Sequence, residues 1–392
     1  MKLALLAAVS FLTLAACSPP SVEQVDTPTI EMSDAARTEM ARVNASRFTM
    51  NMPASLAHVP AMPEPAVPQS STQPTAATAP SAGPAGAEPA AATPGVGVRY
   101  DAGLVRIQVL LDRAHFSPGV VDGYDGENVR KAVSEYQRAN GLEMTGLADD
   151  ALLTRLEQND RAPALVAYVL AEDDVDGPFV DVPQDLESMS RLEHVGYGSA
   201  VEALAEKFHM DEDLLRTLNP GVDFTSAGAE IVVANAGGDL SMQVASVEVD
   251  IEEGAVRAFD AANRLVAYYP ATIGSGDAPA PVGEHTVRGV AFDPTYRYDP
   301  ARLPTFGRRN HGALDIAAGP NNPVGAVWIA LSADTYGIHG APNPSQVSKT
   351  QSHGCIRLTN WDAVELGRAI SVGAPVAIRQ QSTIAQRQSR SG

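Results

Sequence analysis

Residues 243–270 read QVASVEVDIEEGAVRAFDAANRLVAYYP. Apolar and polar residues alternate in Gln243–Ile251, Ala255–Asp260 and Arg264–Pro270, and turn-forming runs at Glu253-Gly254 and Ala261–Asn263 separate the three. A period of two, punctuated in this way, marks successive strands that each bury one face. Further strands are predicted at Glu284–Val290 and Val327–Leu331, with WIALSADTYGIHG (328–340) running strand-like to His339. A helix is predicted over Asn360–Ile370 and a last strand at Pro375–Ile378. Residues 240–380 thus form a mostly-β domain with one or two helices, and 381–392 a disordered tail.

The reactive residues of the chain gather in this domain. His339-Gly340 is followed, one loop further on, by Ser352-His353-Gly354-Cys355-Ile356-Arg357-Leu358, which holds one of only two cysteines. A histidine and a cysteine on separate elements joined by one loop suit a nucleophile and its base. A thiol with a pKa near 8.5 is only roughly 3% thiolate at pH 7, whereas at about 6.5 it is roughly 75% thiolate, so imidazole proximity is expected to lower it. Spacing does not decide whether His339 or His353 is the base. Gly340 and Gly354 would let backbone approach a substrate closely. Arg308, Arg309, His311 and Lys349 stand out in an acidic chain as candidates to meet carboxylates. A metal site built from His311, His339, His353 and Cys355 is the rival use, but the spacing lacks paired ligand motifs, so no metal and no cofactor is expected.

Working toward the N-terminus, residues 165–237 include GYGSAVEALAEKFHMDEDLLRTLNPGVDFTSAGAEIVVAN, a helical run around Val201–Phe208, then Leu214, Leu215 and Leu218, then a β-rich exit at Ile231–Val233. Residues 99–160 place Leu104, Ile107 and Leu111, and again Val129, Val133 and Tyr136, at helical spacing on either side of a Gly/Pro/Asp turn at 117–126. Residues 18–98 are rich in Pro, Ala, Thr, Ser and Gly from Met52 on, a composition too poor in apolar surface to offset chain entropy, and read as a disordered tether. Its forty-odd Pro-rich residues would reach about 140 Å at roughly 3.1 Å each. A short helix near Ser33–Met50, capped by Ser33, interrupts it. Residues 1–17, MKLALLAAVSFLTLAAC, have a positive start and an apolar run too short to span a bilayer, and read as an export signal.

The balance of 28 Lys and Arg against 47 Asp and Glu gives a net charge of −19, which repels phosphate backbones and argues against nucleic acid as a partner. If Cys17 is lipid-modified, Cys355 is the one thiol left in an oxidising compartment, where a thiol persists for a chemical purpose.

Four resemblances sharpen this reading. Leu14-Ala15-Ala16-Cys17 resembles a bacterial lipobox, which implies a lipoprotein anchored through Cys17 in the periplasm, Ser18 favouring the outer membrane over the cytoplasmic one. Gln108, Asp122-Gly123, Ala132-Val133, Tyr136-Gln137 and Gly141-Leu142 are similar to the three-helix peptidoglycan-binding-like domain, with a departure at Glu127-Asn128. Residues 192–235 resemble a LysM module, a strand-helix-helix-strand fold that binds N-acetylglucosamine polymers, with Gly198-Ser199-Ala200 in place of its usual first-strand motif. His339-Gly340, SHGCIRL, Asn360, Asp362 and Gly373-Ala374-Pro375-Val376 resemble the catalytic domain of the YkuD-type L,D-transpeptidases. Ile273-Gly274, Pro281–Val287, Pro294-Thr295-Tyr296 and Gly319–Gly325 agree with that family as well.

The last resemblance implies a β-sandwich fold and a role for each matching residue. Cys355 would attack the carbonyl that joins meso-diaminopimelate to the terminal D-alanine of a tetrapeptide stem. His339 would be the base, oriented by a backbone carbonyl such as that of Gly340. His353, with Ser352, Gly354 and the backbone there, would hold the oxyanion, and Arg357 a substrate carboxylate. The implied partners are peptidoglycan stem peptides, glycan strands and a membrane. A second stem, water or a protein lysine would each serve as acceptor, and a non-enzymatic wall-binding lipoprotein is the reading outside catalysis.

Overall fold

The computed structural model describes residues 29–47, 100–275, 278–300, 312–350 and 354–381. Cys17, Ser352, His353, Arg308, Arg309 and His311 lie outside them, as do the signal segment and residues 382–392. No described helix is long and apolar enough to cross a membrane.

The first element corrects the tether expected over 18–98. Helix α1 (Asp34–Ala45) is capped by Ser33, whose hydroxyl accepts from the Ala36 amide at 3.2 Å. Met32, Ala36, Met40 and Val43 recur at helical spacing and enter a core with residues of both N-terminal units, so residues 29–47 are folded against the body. Asn44 exchanges two hydrogen bonds with the Leu165 backbone, at 2.9 and 2.8 Å. The remainder of that span, 18–28 and 48–98, lies outside the described residues.

Helices α2 (Ala102–Arg113), α3 (Glu127–Ala139) and α4 (Asp150–Asn159) form the expected three-helix unit. Asp101 and Asp149 cap α2 and α4 through the amides of Leu104 and Leu152. Of the residues that carried the peptidoglycan-binding resemblance, Gln108, Ala132, Val133, Tyr136 and Gln137 turn inward, whereas Gly141 and Leu142 are exposed. Gln108 donates to Asp122 at 2.8 Å and accepts from the Gly123 amide at 2.7 Å, pinning a turn where Gly123 has φ +75°. Tyr136 is buried edge-on to Phe116 at 5.4 Å. The departing residues face the other way: Asn128 reaches the Val347 carbonyl, and Lys131, paired with Glu127, reaches that of Glu253.

The next unit runs β1 (Leu165–Val169), α5 (Glu172–Val175), α6 (Leu186–Met189), α7 (Ala200–Lys207), α8 (Glu212–Leu218) and β2 (Glu230–Ala234). β1 and β2 pair antiparallel, Leu165 opposite Ala234. Ser199, expected where a first strand would begin, instead caps α7 by accepting from the Glu202 amide. The first strand is β1, and residues 170–199 are inserted between it and α7.

The mostly-β domain contains β3 (Ser246–Asp250), β4 (Ala255–Phe259), β5 (Leu265–Pro270), β6 (Thr272–Ile273), β7 (Gly283–Phe292), β8 (Tyr296–Tyr298), β9 (Leu314–Ile316), β10 (Val327–Leu331), β11 (Gly337–His339), β12 (Ile356–Arg357), α9 (Asn360–Ala369) and β13 (Pro375–Arg379). Nine strands lie in the order β5-β4-β3-β13-β7-β10-β11-β12-β6. β7 is shared: Gly283–Thr286 pair with β13, and Val287–Phe292 with β10. β5 and β6, the two ends of that order, are separated in the chain by Ala271 alone, so the sheet folds back on itself. Val249, Val256 and Ile378 from one half meet Ile329, Ile338 and Ile356 from the other around Leu366 of α9, a single core between two layers.

The three-helix unit covers the exposed edge of β5. The Ser117 amide donates to the Tyr268 carbonyl and the Tyr268 amide to that of His115, both at 2.9 Å, so the chain after α2 continues the sheet by one short segment. Beside it, buried Arg257 of β4 binds Glu135 of α3 at 2.7 Å, together with Asp250 and Glu253. A buried arginine so surrounded matters chiefly when removed, since each carboxylate would then lack its counter-charge.

Candidate active site

The run 328–340 is not one strand. It turns back on itself, and β10 pairs antiparallel with β11 so that Trp328 stands opposite His339. The indole stacks on the imidazole at 5.5 Å between ring centres. A Cβ on Gly337 would come within 2.7 Å of the same indole, which explains a glycine two residues before the histidine.

Further along the chain β12 lies parallel to β11, with Ile338 opposite Ile356 and His339 opposite Arg357. Side chains two apart on a strand share a face, so Cys355, one residue before β12, projects on the face of Arg357 and His339. The two residues singled out from sequence are thereby diagonal neighbours across adjacent strands.

His339 is buried, and its Nδ1 lies 2.7 Å from the Gly340 carbonyl. Nδ1–H donates there, which leaves Nε2 with its lone pair and defines the tautomer a base needs. Burial first, and the Arg357 charge second, pull the His339 pKa down to about 3, against the opposing Gly340 hydrogen bond. The ring is therefore neutral at any ordinary pH.

Cys355 departs from expectation. Burial pushes its pKa up, and the Gly337 amide and Arg357 charge offset this only in part. The Sγ also lies 3.9 Å from the Thr335 carbonyl. The resting pair is a neutral thiol beside a neutral imidazole, with no preformed thiolate, because the desolvation that protects the site opposes charge on either group.

Arg357 is partly buried, its Nε has no hydrogen-bond partner, and it forms no ion pair with a described residue. Tyr296 of β8 stands close enough to feel the Cys355 and Arg357 charges, and burial raises its pKa to about 12. Gly354 has φ +98°, and a Cβ there would meet the Tyr336 ring at 2.7 Å.

Gly340 has a use within the protein. Its amide donates to Val327, its carbonyl receives His339, and a Cβ would overlap Asn360 Oδ1, so it makes room for protein. Lys349, expected to meet substrate carboxylates, instead sits where its charge acts on Asp122 and Asp211. Among the described residues no group of three His, Cys, Asp or Glu could hold a metal ion.

Sequence reasoning gave no role to Gly337, Trp328 or Tyr296. Trp328 carried one available signal, being one of two tryptophans in the chain and eleven positions from His339.

Comparison with known proteins bears on the two domains around this site. Residues 245–378 match the family model YkuD, L,D-transpeptidase catalytic domain, and residues 101–156 match a peptidoglycan binding domain. A Bacillus licheniformis protein named as the L,D-transpeptidase YkuD is 28% identical over 183 residues, covering 46% of this chain and 94% of its own. A Bacillus subtilis protein named as the L,D-transpeptidase YqjB is 35% identical over 122 residues, covering 30% of this chain and 61% of its own. Among solved structures, L,D-transpeptidase 3 of Mycobacterium tuberculosis aligns at 16% identity with a TM-score of 0.29, covering 38% of this chain and 72% of that one, a score too low to argue from. The chain thus carries an L,D-transpeptidase catalytic domain behind a peptidoglycan-binding domain.

Proposed function

We propose that the protein is a peptidoglycan L,D-transpeptidase in which Cys355 forms a thioester with a tetrapeptide stem and an amine of a second stem resolves it into a 3-3 cross-link. The observation that supports this best is His339, neutral, fixed in one tautomer by Gly340 and set on the same face as the thiol.

The chemistry balances as follows. His339 Nε2 takes the Cys355 proton while Sγ attacks the carbonyl before the terminal D-alanine; the C–N bond then breaks, and His339 returns the proton to the departing amine. In the second half the acceptor amine attacks the thioester, its proton passes to His339, and the C–S bond breaks as His339 returns that proton to Sγ, restoring the neutral thiol and imidazole. Since neither group favours charge in the resting state, proton transfer accompanies attack rather than preceding it. Arg357 disfavours the imidazolium but favours developing negative charge on sulfur, oxygen or a substrate carboxylate. Ser352 and His353, with Gly354, complete the oxyanion side in this reading.

The three-helix and strand-helix-helix-strand units hold the domain on the wall, with glycan strands as the ligand of the latter, and a lipid on Cys17 holds the chain at the periplasmic face of the outer membrane. Intact-protein mass spectrometry of residues 18–392 with a disaccharide-tetrapeptide, and separately with a carbapenem, tests the reading. One carbapenem adduct on Cys355 and a cross-linked dimer are expected. Tripeptide alone would mean that water is the acceptor, a lysine-bearing protein adduct would mean wall attachment, and no adduct would leave a wall-binding lipoprotein.

A further inference from the structure

We infer that Glu206, on α7 of the strand-helix-helix-strand unit, is a positioning residue for His339, acting through Asn360. The inference rests on the transpeptidase reading for its kinetic consequence but not for its geometry.

The chain of contacts starts at the imidazole. His339 keeps its tautomer only while the Gly340 carbonyl faces Nδ1. The Gly340 peptide packs against the Asn360 carboxamide so closely that a Cβ on Gly340, or on Gly325, would overlap Asn360 Oδ1. The position of that carboxamide therefore limits how the Gly340 carbonyl can rotate.

Within its own domain Asn360 has two partners: Oδ1 accepts from the Ala326 amide at 3.0 Å and Nδ2 donates to the Pro320 carbonyl at 3.1 Å. The third comes from the neighbouring unit, where Glu206 receives Nδ2 at 2.9 and 3.2 Å on its two oxygens. Glu206 is 7% exposed and is itself hydrogen-bonded by Tyr197. One turn earlier on α7, Glu202 accepts from Asn321 at 2.6 Å, next to Pro320. Around them the Val195 amide donates to the Ala318 carbonyl at 2.9 Å and the Asn321 amide to that of Val195 at 3.1 Å. Helix α7 thus holds both Asn360 and the segment that Asn360 leans on.

A carboxyl buried at such a junction is costly unless it is bonded. Arginine or lysine would neutralise it, yet its direct partner is a neutral amide whose far side abuts the histidine's acceptor. An apolar side chain there would offer neither the Asn360 amide nor the Tyr197 hydroxyl an acceptor; the carboxyl offers both one. What it adds is a directional acceptor that fixes which way the Asn360 amide faces.

The test uses the ectodomain, residues 18–392, with Glu206→Leu and Glu206→Gln. Three quantities are read: single-turnover acylation by a carbapenem, melting temperature, and the His339 Nδ1–H resonance in 15N-histidine NMR. Glu206→Leu should slow acylation roughly 10- to 100-fold at saturating carbapenem, leave half-saturation within about twofold, and shift or broaden the Nδ1–H signal. Glu206→Gln, which keeps an acceptor, should stay within about threefold of wild type. Should the leucine variant not fold, Tyr197→Phe removes the donor that holds Glu206 and should move the same resonance in the same direction. Wild-type acylation rates and an unmoved resonance in Glu206→Leu, with only the melting temperature lowered, would overturn the inference. A wild-type protein that carbapenem does not acylate would sink the transpeptidase reading instead, and the resonance would still decide the positioning role.

Discussion

Two polar regions flank β12, and they treat their charges in opposite ways. On one side, the thiol face keeps His339 and Cys355 neutral and leaves the Arg357 Nε without a partner. On the other, where α9 meets the two N-terminal units around a cavity of about 390 Å³, the titratable groups are paired, although the buried Trp361 Nε1 has no hydrogen-bond partner. His115 meets Glu365 at 2.8 Å, His209 meets Asp112 at 3.0 Å, and Ser117 donates to Asp362 at 2.9 Å. His209 also stacks on Trp361 at 4.9 Å. A network of ion pairs holds surfaces together, whereas a charge without an ion pair among the described residues, as at Arg357, retains the capacity to act on something that arrives.

The comparison breaks most severely if the thiol face has no chemistry. Cys355→Ala should abolish adduct formation while keeping the wild-type melting temperature within about 1–2 °C; residual turnover on tetrapeptide would reject the mechanism. Removing the base is the next largest effect. His339→Gln should lower acylation by roughly 10²–10⁴-fold with half-saturation little changed, measured in single turnovers.

At the matched side the effect should fall on stability. Asp112 is fully buried, and although burial raises its pKa, the His209 charge and the Gly237 amide bring it below the usual range. Asp112→Ala should cost about 3 kcal/mol in urea unfolding while leaving carbapenem acylation within a few-fold, since it strips His209 of its partner. Equal losses in both would show that the two regions are not separable.

Smaller effects come from pH. Burial raises Glu206 to about 8, and His115 is raised because Glu365 outweighs burial. Groups whose folded pKa is raised contribute stability that is full below the unfolded value and is lost as pH climbs through the folded one. His339 has the opposite sign, its contribution being lost only as pH falls below 6.5 toward 3. Between pH 6.5 and 8 the junction therefore sets the trend, and the melting temperature should decline across that window, less steeply in Glu206→Gln. A flat profile would contradict the assignment. Alkylation of Cys355 by iodoacetamide should likewise keep rising past pH 9, with no plateau near 6.5.

Much of the mostly-β domain was legible from period alone. β4, β5, β10, α9 and β13 appear within a residue or two of expectation, β3 begins three residues later than expected, and β7 is at the expected place but longer at its C-terminal end, because the spacing of apolar residues marks each of them. The β10–β11 hairpin was not legible. Its turn runs through Ser332–Thr335 without glycine or proline, and Thr335 adopts φ +70°, a conformation no sequence rule assigns to threonine. β6, β11 and β12 have two or three residues each, too few to show a period. They are nonetheless the strands that carry or border His339 and Cys355. Folded residues 29–47 were also underread, because an isolated amphipathic stripe does not reveal whether a partner surface exists for it.

The residues themselves determined the strand alternation, the helix cap at Ser33, and which thiol and imidazole were the candidates for a reactive pair. These are local: each follows from neighbours within a few positions. The tertiary structure alone decided that burial raises the thiol's pKa, that Gly340 makes room for Asn360, and that Glu206 meets Asn360 across 154 positions of chain. Burial and long-range contact set those outcomes, and neither is a property of any short stretch of sequence.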